Sequence, residues 1–188
     1  SRFAFIHGNW CLSNSRPDGR YCGVDDEIPL LFELGCYADF TFPAPESHAQ
    51  PRHVNQIMWP VGNLAARRAY EHAERARVGR HHEDRLLLIH GPSGLYFRGG
   101  KSPIAIEGSD LTKHNPATRA RVKLWGELGI SVDGRPEWQF IKMHTHGAPD
   151  AQAESLLGPE GVRMHELLAE LVDLLVDRLE LGFPLPHR

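Results

Sequence analysis

The chain has little cysteine, and nothing in its spacing suggests a fold held by disulfides. Three cysteines occur in 188 residues, and no two of them have the CxxC spacing. An odd number without paired spacing argues against a disulfide framework and against a zinc knuckle. Cys11, Cys22 and Cys36 therefore predict free thiols in a cytoplasmic protein.

The chain also lacks a strong excess of charge and any long apolar run. Its formal net charge is -3, which gives no electrostatic reason to expect nucleic acid as a partner. A segment that spans a bilayer needs roughly 20 predominantly apolar residues, and the sequence contains none of that length. We expect neither a nucleic-acid partner nor a membrane span, while the oligomeric state is left open.

Several catalytic motifs are missing. The sequence has no phosphate loop, no GxGxxG and no GxSxG, so kinase, dehydrogenase and serine hydrolase functions lack their signatures. Cys11 is left as an unsupported candidate nucleophile.

The chain does contain alternating strand and helix patterns, which predict one α/β domain over residues 1–188 with a largely parallel sheet. Prominent are a helix capped by Thr118 and a last amphipathic helix with apolar residues from Met164 to Leu175. The expected strands are 3–6, 37–43, 86–89 and 138–144, and a further helix is expected over 64–77.

Three of the apolar runs end in histidine, in the segments FAFIHG, LLLIHG and FIKMHTHGA. The carboxyl ends of parallel strands meet at one edge of a sheet, where α/β proteins bind ligands. His7, His90 and His146 therefore predict a three-histidine site for a divalent metal, with zinc the expected ion. His144 and His146 project to the same face of an extended segment. The candidate carboxylates are Asp25, Asp26 and Asp150, although Asp25 and Asp26 can equally stabilise a helix start.

The segment that follows the first strand has a composition suited to a sugar. Trp10 and Tyr21 can stack on a sugar ring, and Asn9 can bind its hydroxyls. Arg16 and Arg20 can pair with a carboxylate or bind an anionic group. A surface turn, or an aromatic plug at the end of the core, would have the same composition.

Two long segments, FAFIHGNWCLSNSRPDGRYCGVDDEIPLLFELGCYADFTFPA and GRPEWQFIKMHTHGAP, resemble the later half of a divergent polysaccharide deacetylase-like family of bacterial surface-polysaccharide loci. LLLIHGPSGLYFR and LTKHNPATRARVKLW share the likeness. The resemblance implies a deformed or incomplete (β/α) barrel that acts on carbohydrate. It also implies that the chain is a fragment without the first strands and the last strand.

The resemblance implies two catalytic roles. In that family an arginine-proline-tyrosine motif supports the catalytic base, and Arg16, Pro17 and Tyr21 resemble it with altered spacing. A late leucine-x-histidine motif supplies the general acid, and KMH occupies its place, with Lys142 where leucine is expected. His144 is thus the implied acid.

Three functional hypotheses follow. The first is a metal-dependent hydrolase that removes an acyl group, such as N-acetyl, from a carbohydrate. The second is a non-catalytic carbohydrate-binding or partner-binding relic of the same fold. The third is an amidohydrolase-like enzyme in which the HTH pair itself holds the metal.

Overall fold

The structure is a computed structural model that describes residues 2–97, 103–146, 153 and 156–180. It divides into two compact units, which are described separately. The first unit contains Ser1–Gly91 and Ile130–Phe140, and the second contains Pro92–Gly129 and Ile141–Arg188. The single domain expected from the sequence stays a prediction.

The first unit is built on a five-stranded sheet. Its strands are β1 (Phe3–Phe5), β2 (Cys36–Asp39), β3 (Ile57–Pro60), β4 (Ala73–Arg75) and β5 (Leu87–Ile89). They lie in the order β1-β2-β5-β3-β4. Both β1 and β5 run parallel to β2, whereas β3 runs antiparallel to β5 and to β4. Helix α1 (Glu27–Glu33) lies between β1 and β2 in the sequence.

The prediction of a largely parallel sheet in a deformed (β/α) barrel is wrong. The sheet is mixed, and among the described residues its outer strands, β1 and β4, each have one strand partner, so it does not close. Parallel neighbours need long crossover connections that usually contain a helix. The helix expected over 64–77 does not form; a 3₁₀ turn at Ala69–Glu71 and strand β4 take its place.

Alternate residues of the central strands face opposite sides of this sheet, as strand geometry requires. Met58 and Leu88 belong to the apolar cluster that includes Ile28 of α1. Ile57 and Trp59 belong to a different cluster, together with Ala76 and Ile130. Both faces are therefore covered near β3 and β5, which leaves the strand ends as the places for a ligand.

The second unit contains a two-stranded antiparallel sheet and two helices. Its elements are β6 (Gly94–Phe97), β7 (Ile104–Glu107), α2 (Arg119–Glu127) and α3 (Pro159–Glu180). The side chain of Thr118 accepts a hydrogen bond from the Arg121 amide, which confirms the predicted cap. Trp125 of α2 packs with Met164 and Leu167 of α3. No helix in the described part of the chain is long and apolar enough to cross a membrane, as predicted.

Candidate functional site

Three ionisable residues lie at the carboxyl edge of the parallel strands. His7 follows β1, Asp39 ends β2, and His90 directly follows β5. Since β1 and β5 both run parallel to β2, the two histidines are at the same sheet edge. Strand β2 separates them, and His90 is buried against the ring of Phe42.

Asp39 is a buried carboxylate at this edge that sequence reasoning did not identify. It is 1% exposed and accepts hydrogen bonds from the amide and the hydroxyl of Thr41, at 3.0 and 2.8 Å. The Thr41 hydroxyl in turn accepts one from the amide of His7, at 2.8 Å. Asp39 thus fixes the chain where it leaves β1. Its signal in the sequence was an acidic residue at the end of an apolar strand.

His7 forms a compact polar cluster with Cys22 and Glu27. Their potential ligand atoms all lie within 4.8 Å of one another. His7 Nε2 is 3.7 Å from Glu27 Oε1, and the Cys22 thiol donates to Glu27 Oε2 at 3.3 Å. The same carboxylate oxygen accepts from the amide of Ser13 at 2.7 Å. Glu27, in the first turn of α1, therefore ties the end of β1 to the loop that follows it.

The donor types in this cluster suit zinc, and two of them carry protons in the absence of a metal. His7 Nδ1 accepts from the amides of Asn9 and Cys11, at 3.4 and 3.3 Å, so the ring proton lies on Nε2, which faces Glu27. Burial raises the pKa of the Cys22 thiol. A metal would have to displace both protons. Without a metal the three residues form a hydrogen-bonded network, and a metal ion would bind there with release of these protons.

The predicted metal set of His7, His90 and His146 is not this cluster. His7 belongs to it, His90 does not, and His146 lies in the second unit. The divalent metal and the zinc assignment stay predictions. Sequence reasoning did not identify Glu27, because it named Asp25, Asp26 and Asp150 as candidate carboxylates by loop position alone.

The loop between β1 and α1 carries unusual backbone strain. Four of the eight non-glycine residues with positive φ in the described chain lie in it: Trp10 (56°), Ser13 (53°), Asn14 (48°) and Tyr21 (74°). Bulky residues seldom adopt this left-handed region, and each instance costs on the order of 1–3 kcal/mol. Hydrogen bonds hold it in place, including one of 2.7 Å from Asn14 Nδ2 to Asp25 Oδ1. The strain displays two aromatic rings, since Trp10 is 41% and Tyr21 57% exposed.

Arg16 is paired within the same loop. Its Nε and Nη2 donate to the two oxygens of Asp18, at 3.0 and 2.8 Å, and this pairing holds the pKa of Asp18 well below its ordinary value. The guanidinium carbons of Arg16 and Arg20 lie 5.4 and 5.2 Å from the centre of the Tyr21 ring. Cations thus occupy part of the surface of Tyr21, and Trp10 is the better platform for a sugar. The role of Arg16 beside a catalytic base stays a prediction.

The remaining candidates are Cys11, Asp26 and Asp150. Cys11 is fully buried, its thiol donates to the Asn9 carbonyl at 2.9 Å, and burial raises its pKa, all of which disfavour a nucleophile. Asp26 occupies the N-cap position of α1 without a side-chain capping bond. Asp150 lies outside the described residues.

His144 and His146 lie together in the second unit. Their ring centres are 6.2 Å apart at 86°. The expected strand over 138–144 does not form; His144 makes a single bridge, receiving Leu111 N–H at its carbonyl and donating its own to Ser109. Burial, followed by Lys142, lowers the pKa of His144. A neutral imidazole suits a base or a metal ligand better than the predicted proton donor.

A buried ion pair supports the backbone that holds His144. Arg121 donates to both oxygens of Glu107 at 2.7 Å, and the two side chains are 1% and 0% exposed. Its other N–H groups reach the carbonyls of Asp110, Asn115 and Pro116, at 2.6, 2.6 and 2.9 Å. All five guanidinium donors are thereby used. Sequence reasoning did not identify this pair, because Glu107 of β7 and Arg121 of α2 come together only through the fold.

Comparisons with protein-family models, with curated proteins and with solved structures found no match for the chain. The resemblance to the polysaccharide deacetylase-like family therefore stays a prediction. Any function must be argued from the residues described above.

Proposed function

We propose that the chain acts on a carbohydrate at the loop between β1 and α1, and that it removes an acyl group, such as N-acetyl, by hydrolysis. One observation carries the proposal: this loop holds strained, exposed aromatic residues around the His7–Cys22–Glu27 cluster. Backbone strain of this kind persists where the surroundings enforce it, and it concentrates at functional sites.

The residues of the loop have complementary chemistry for this reaction. The exposed ring of Trp10 offers an apolar face to a sugar, and the exposed Asn9 beside it offers an amide for hydroxyls. Hydrolysis needs a group that accepts and returns a proton near neutral pH, and an imidazole beside a carboxylate provides one. His7 and Glu27 are that pair, and no step of the proposal requires a metal. The cytoplasm is the proposed location, because Cys11, Cys22 and Cys36 are all free cysteines.

Carbohydrate binding without turnover is the second candidate, and one specific observation favours it. Polar groups of the loop pair with one another: Arg16 with Asp18, and His7 Nδ1 with backbone amides. Groups that are already paired are poorly placed to exchange protons with a substrate. Binding through Trp10 needs none of them.

Acetate release from N-acetylated oligosaccharides tests the proposal, measured with the wild type, Glu27→Gln and a matched control, Glu33→Gln. Glu33 is an exposed carboxylate on the same helix. Loss of a general acid or base reduces turnover by roughly 10² to 10⁴, so we expect a reduction of that size in Glu27→Gln alone. Assays with added zinc and with a chelator show whether a metal contributes.

The outcomes separate the two candidates. Binding of the oligosaccharide without acetate release supports the non-catalytic function. Equal activity in both variants removes Glu27 from the mechanism. A wild type that neither binds nor releases acetate contradicts the proposal as a whole.

A further inference from the structure

A cleft lies in the first unit, at the opposite edge of the sheet from His7. Its volume is about 450 Å³, within the range of roughly 300 to 1,000 Å³ that ligand pockets occupy. The lining side chains that matter here are Arg2, Tyr37, Trp59, His81, His82 and Arg85. Arg2 precedes β1 and Tyr37 lies near the start of β2, whereas Trp59 is near the end of the antiparallel strand β3. The cleft is therefore at the amino edge of the parallel strands.

Aromatic and imidazole rings make up much of the cleft wall. Trp59 is 8% exposed, and its ring centre lies 5.3 Å from that of His81 and 5.6 Å from that of His82. Tyr37 is 52% exposed, so a ligand in the cleft can reach its ring. His82 Nε2 contacts a carboxylate oxygen of Glu74, which fixes the imidazole. The wall can accordingly hold a flat group in one orientation.

Hydrogen-bond donors outnumber acceptors among the lining side chains. Arg2, Trp59 and Arg85 have donors only, whereas Glu83 is the lining side chain with acceptors only. The guanidinium of Arg85 is held in place on two sides. Its Nη1 donates to the Pro60 carbonyl at 3.1 Å, and its Nε and Nη2 donate to the carboxylate of Asp84, which offsets its charge. A ligand with several acceptor atoms would match this lining.

We propose that this cleft binds a small planar organic anion, of the class of aromatic carboxylates. The flat ring lies against Tyr37 and His81, and the carboxylate receives charge-assisted hydrogen bonds from Arg2. The inference rests on the cleft alone and is independent of the function proposed for the loop between β1 and α1.

Calorimetric titration with 2-naphthoate tests this assignment, with the uncharged 2-naphthamide as the comparison ligand. Arg2→Gln removes the exposed cation, and Arg67→Gln is the matched control, an exposed arginine of the same unit that does not line the cleft. We expect saturable binding of 2-naphthoate that is about tenfold weaker for the amide and about tenfold weaker in Arg2→Gln, because a hydrogen bond to a charged group is lost. Arg67→Gln keeps the wild-type affinity.

Two further measurements guard against indirect effects. His81→Ala alters an exposed ring, so it should weaken binding without moving the thermal unfolding midpoint. The indole N–H resonance of Trp59, assigned with Trp59→Phe, should shift on titration. Absence of saturable binding, equal affinity for the amide, equal loss in both arginine variants, or an unmoved Trp59 resonance would each overturn the proposal.

Discussion

Replacement of Glu107 by glutamine should destabilise the second unit severely. Glu107→Gln keeps the shape of the side chain but removes the charge that faces Arg121. The guanidinium is 1% exposed and forms two 2.7 Å hydrogen bonds with the carboxylate. The substitution leaves an arginine that is buried and no longer neutralised, while a new NH₂ group faces its donors.

The expected loss is a large fraction of ordinary protein stability. Breaking a buried ion pair by removing one partner costs about 3–5 kcal/mol, against a total of about 5–15 kcal/mol for a typical domain. Buried ion pairs can often be replaced by apolar residues at little cost. Here Arg121 also satisfies the carbonyls of Asp110, Asn115 and Pro116. Because each orphaned buried acceptor costs about 1–3 kcal/mol, we expect the double variant Glu107→Leu/Arg121→Met to remain unstable.

Urea unfolding followed by the fluorescence of Trp125 provides the assay. This indole is 1% exposed, and its ring centre lies 5.2 Å from the guanidinium carbon of Arg121. The exposed pair of Arg119 and Glu170, at 2.6 Å, is the control, and Arg119→Gln should cost less than about 1 kcal/mol. The reasoning is refuted if Glu107→Gln unfolds like Arg119→Gln, or if the apolar double variant regains wild-type stability.

Three other substitutions or titrations have defined outcomes. Burial raises the pKa of Tyr70 to about 12. The contribution of Tyr70 to stability is therefore complete below the unfolded pKa of about 10 and is lost as the pH rises through about 12. Tyr70→Phe should remove this alkaline dependence from the urea midpoint. A Cβ on Gly126 would lie 2.9 Å from Leu171 Cδ1, so Gly126→Val should cost about 1–3 kcal/mol and lower the thermal midpoint. Burial lowers the pKa of His144. Its contribution to stability is therefore present above about pH 6.5 and is lost as the pH falls through the folded pKa. An NMR titration midpoint at or above that of an exposed histidine such as His114 would contradict this.

Local signals predicted two helices of the second unit correctly. Thr118 precedes a run of good helix formers, and its side chain caps α2 as expected. The apolar stripe that begins at Met164 lies within α3. Capping and amphipathic spacing act over a few residues, so a sequence contains the information needed to recognise them.

Long-range contacts prevent the helix expected over 64–77 from forming. Its residues favour helix, but Tyr70 is fully buried and donates to the Ala49 carbonyl at 2.8 Å. Arg68 adopts a left-handed conformation with φ of 55° and donates to the Ser15 carbonyl at 3.2 Å. Tertiary contacts of this kind override helix propensity. In place of that helix, the chain between β2 and β5 contains strands β3 and β4, and β3 pairs antiparallel with both β4 and β5.

The candidate site was predictable in part. The position of His7 at the end of an apolar run indicated a sheet edge, and Trp10 and Tyr21 indicated an exposed loop. Its partners Cys22 and Glu27 were not predictable, because loop closure between β1 and α1 brings them to His7. The cleft at the amino edge of the parallel strands was not predictable either, because Tyr37, Trp59 and His81 come from separate stretches of sequence.

The carbohydrate assignment of the loop between β1 and α1 is tested most directly by calorimetry. An N-acetylated oligosaccharide is titrated into the wild type, Trp10→Ala and Trp138→Ala. Both indoles are substantially exposed in the first unit, at 41% and 53%, but only Trp10 lies in this loop. We predict that binding is lost in Trp10→Ala and kept in Trp138→Ala. Equal binding by the two variants, or no binding by the wild type, would contradict the account.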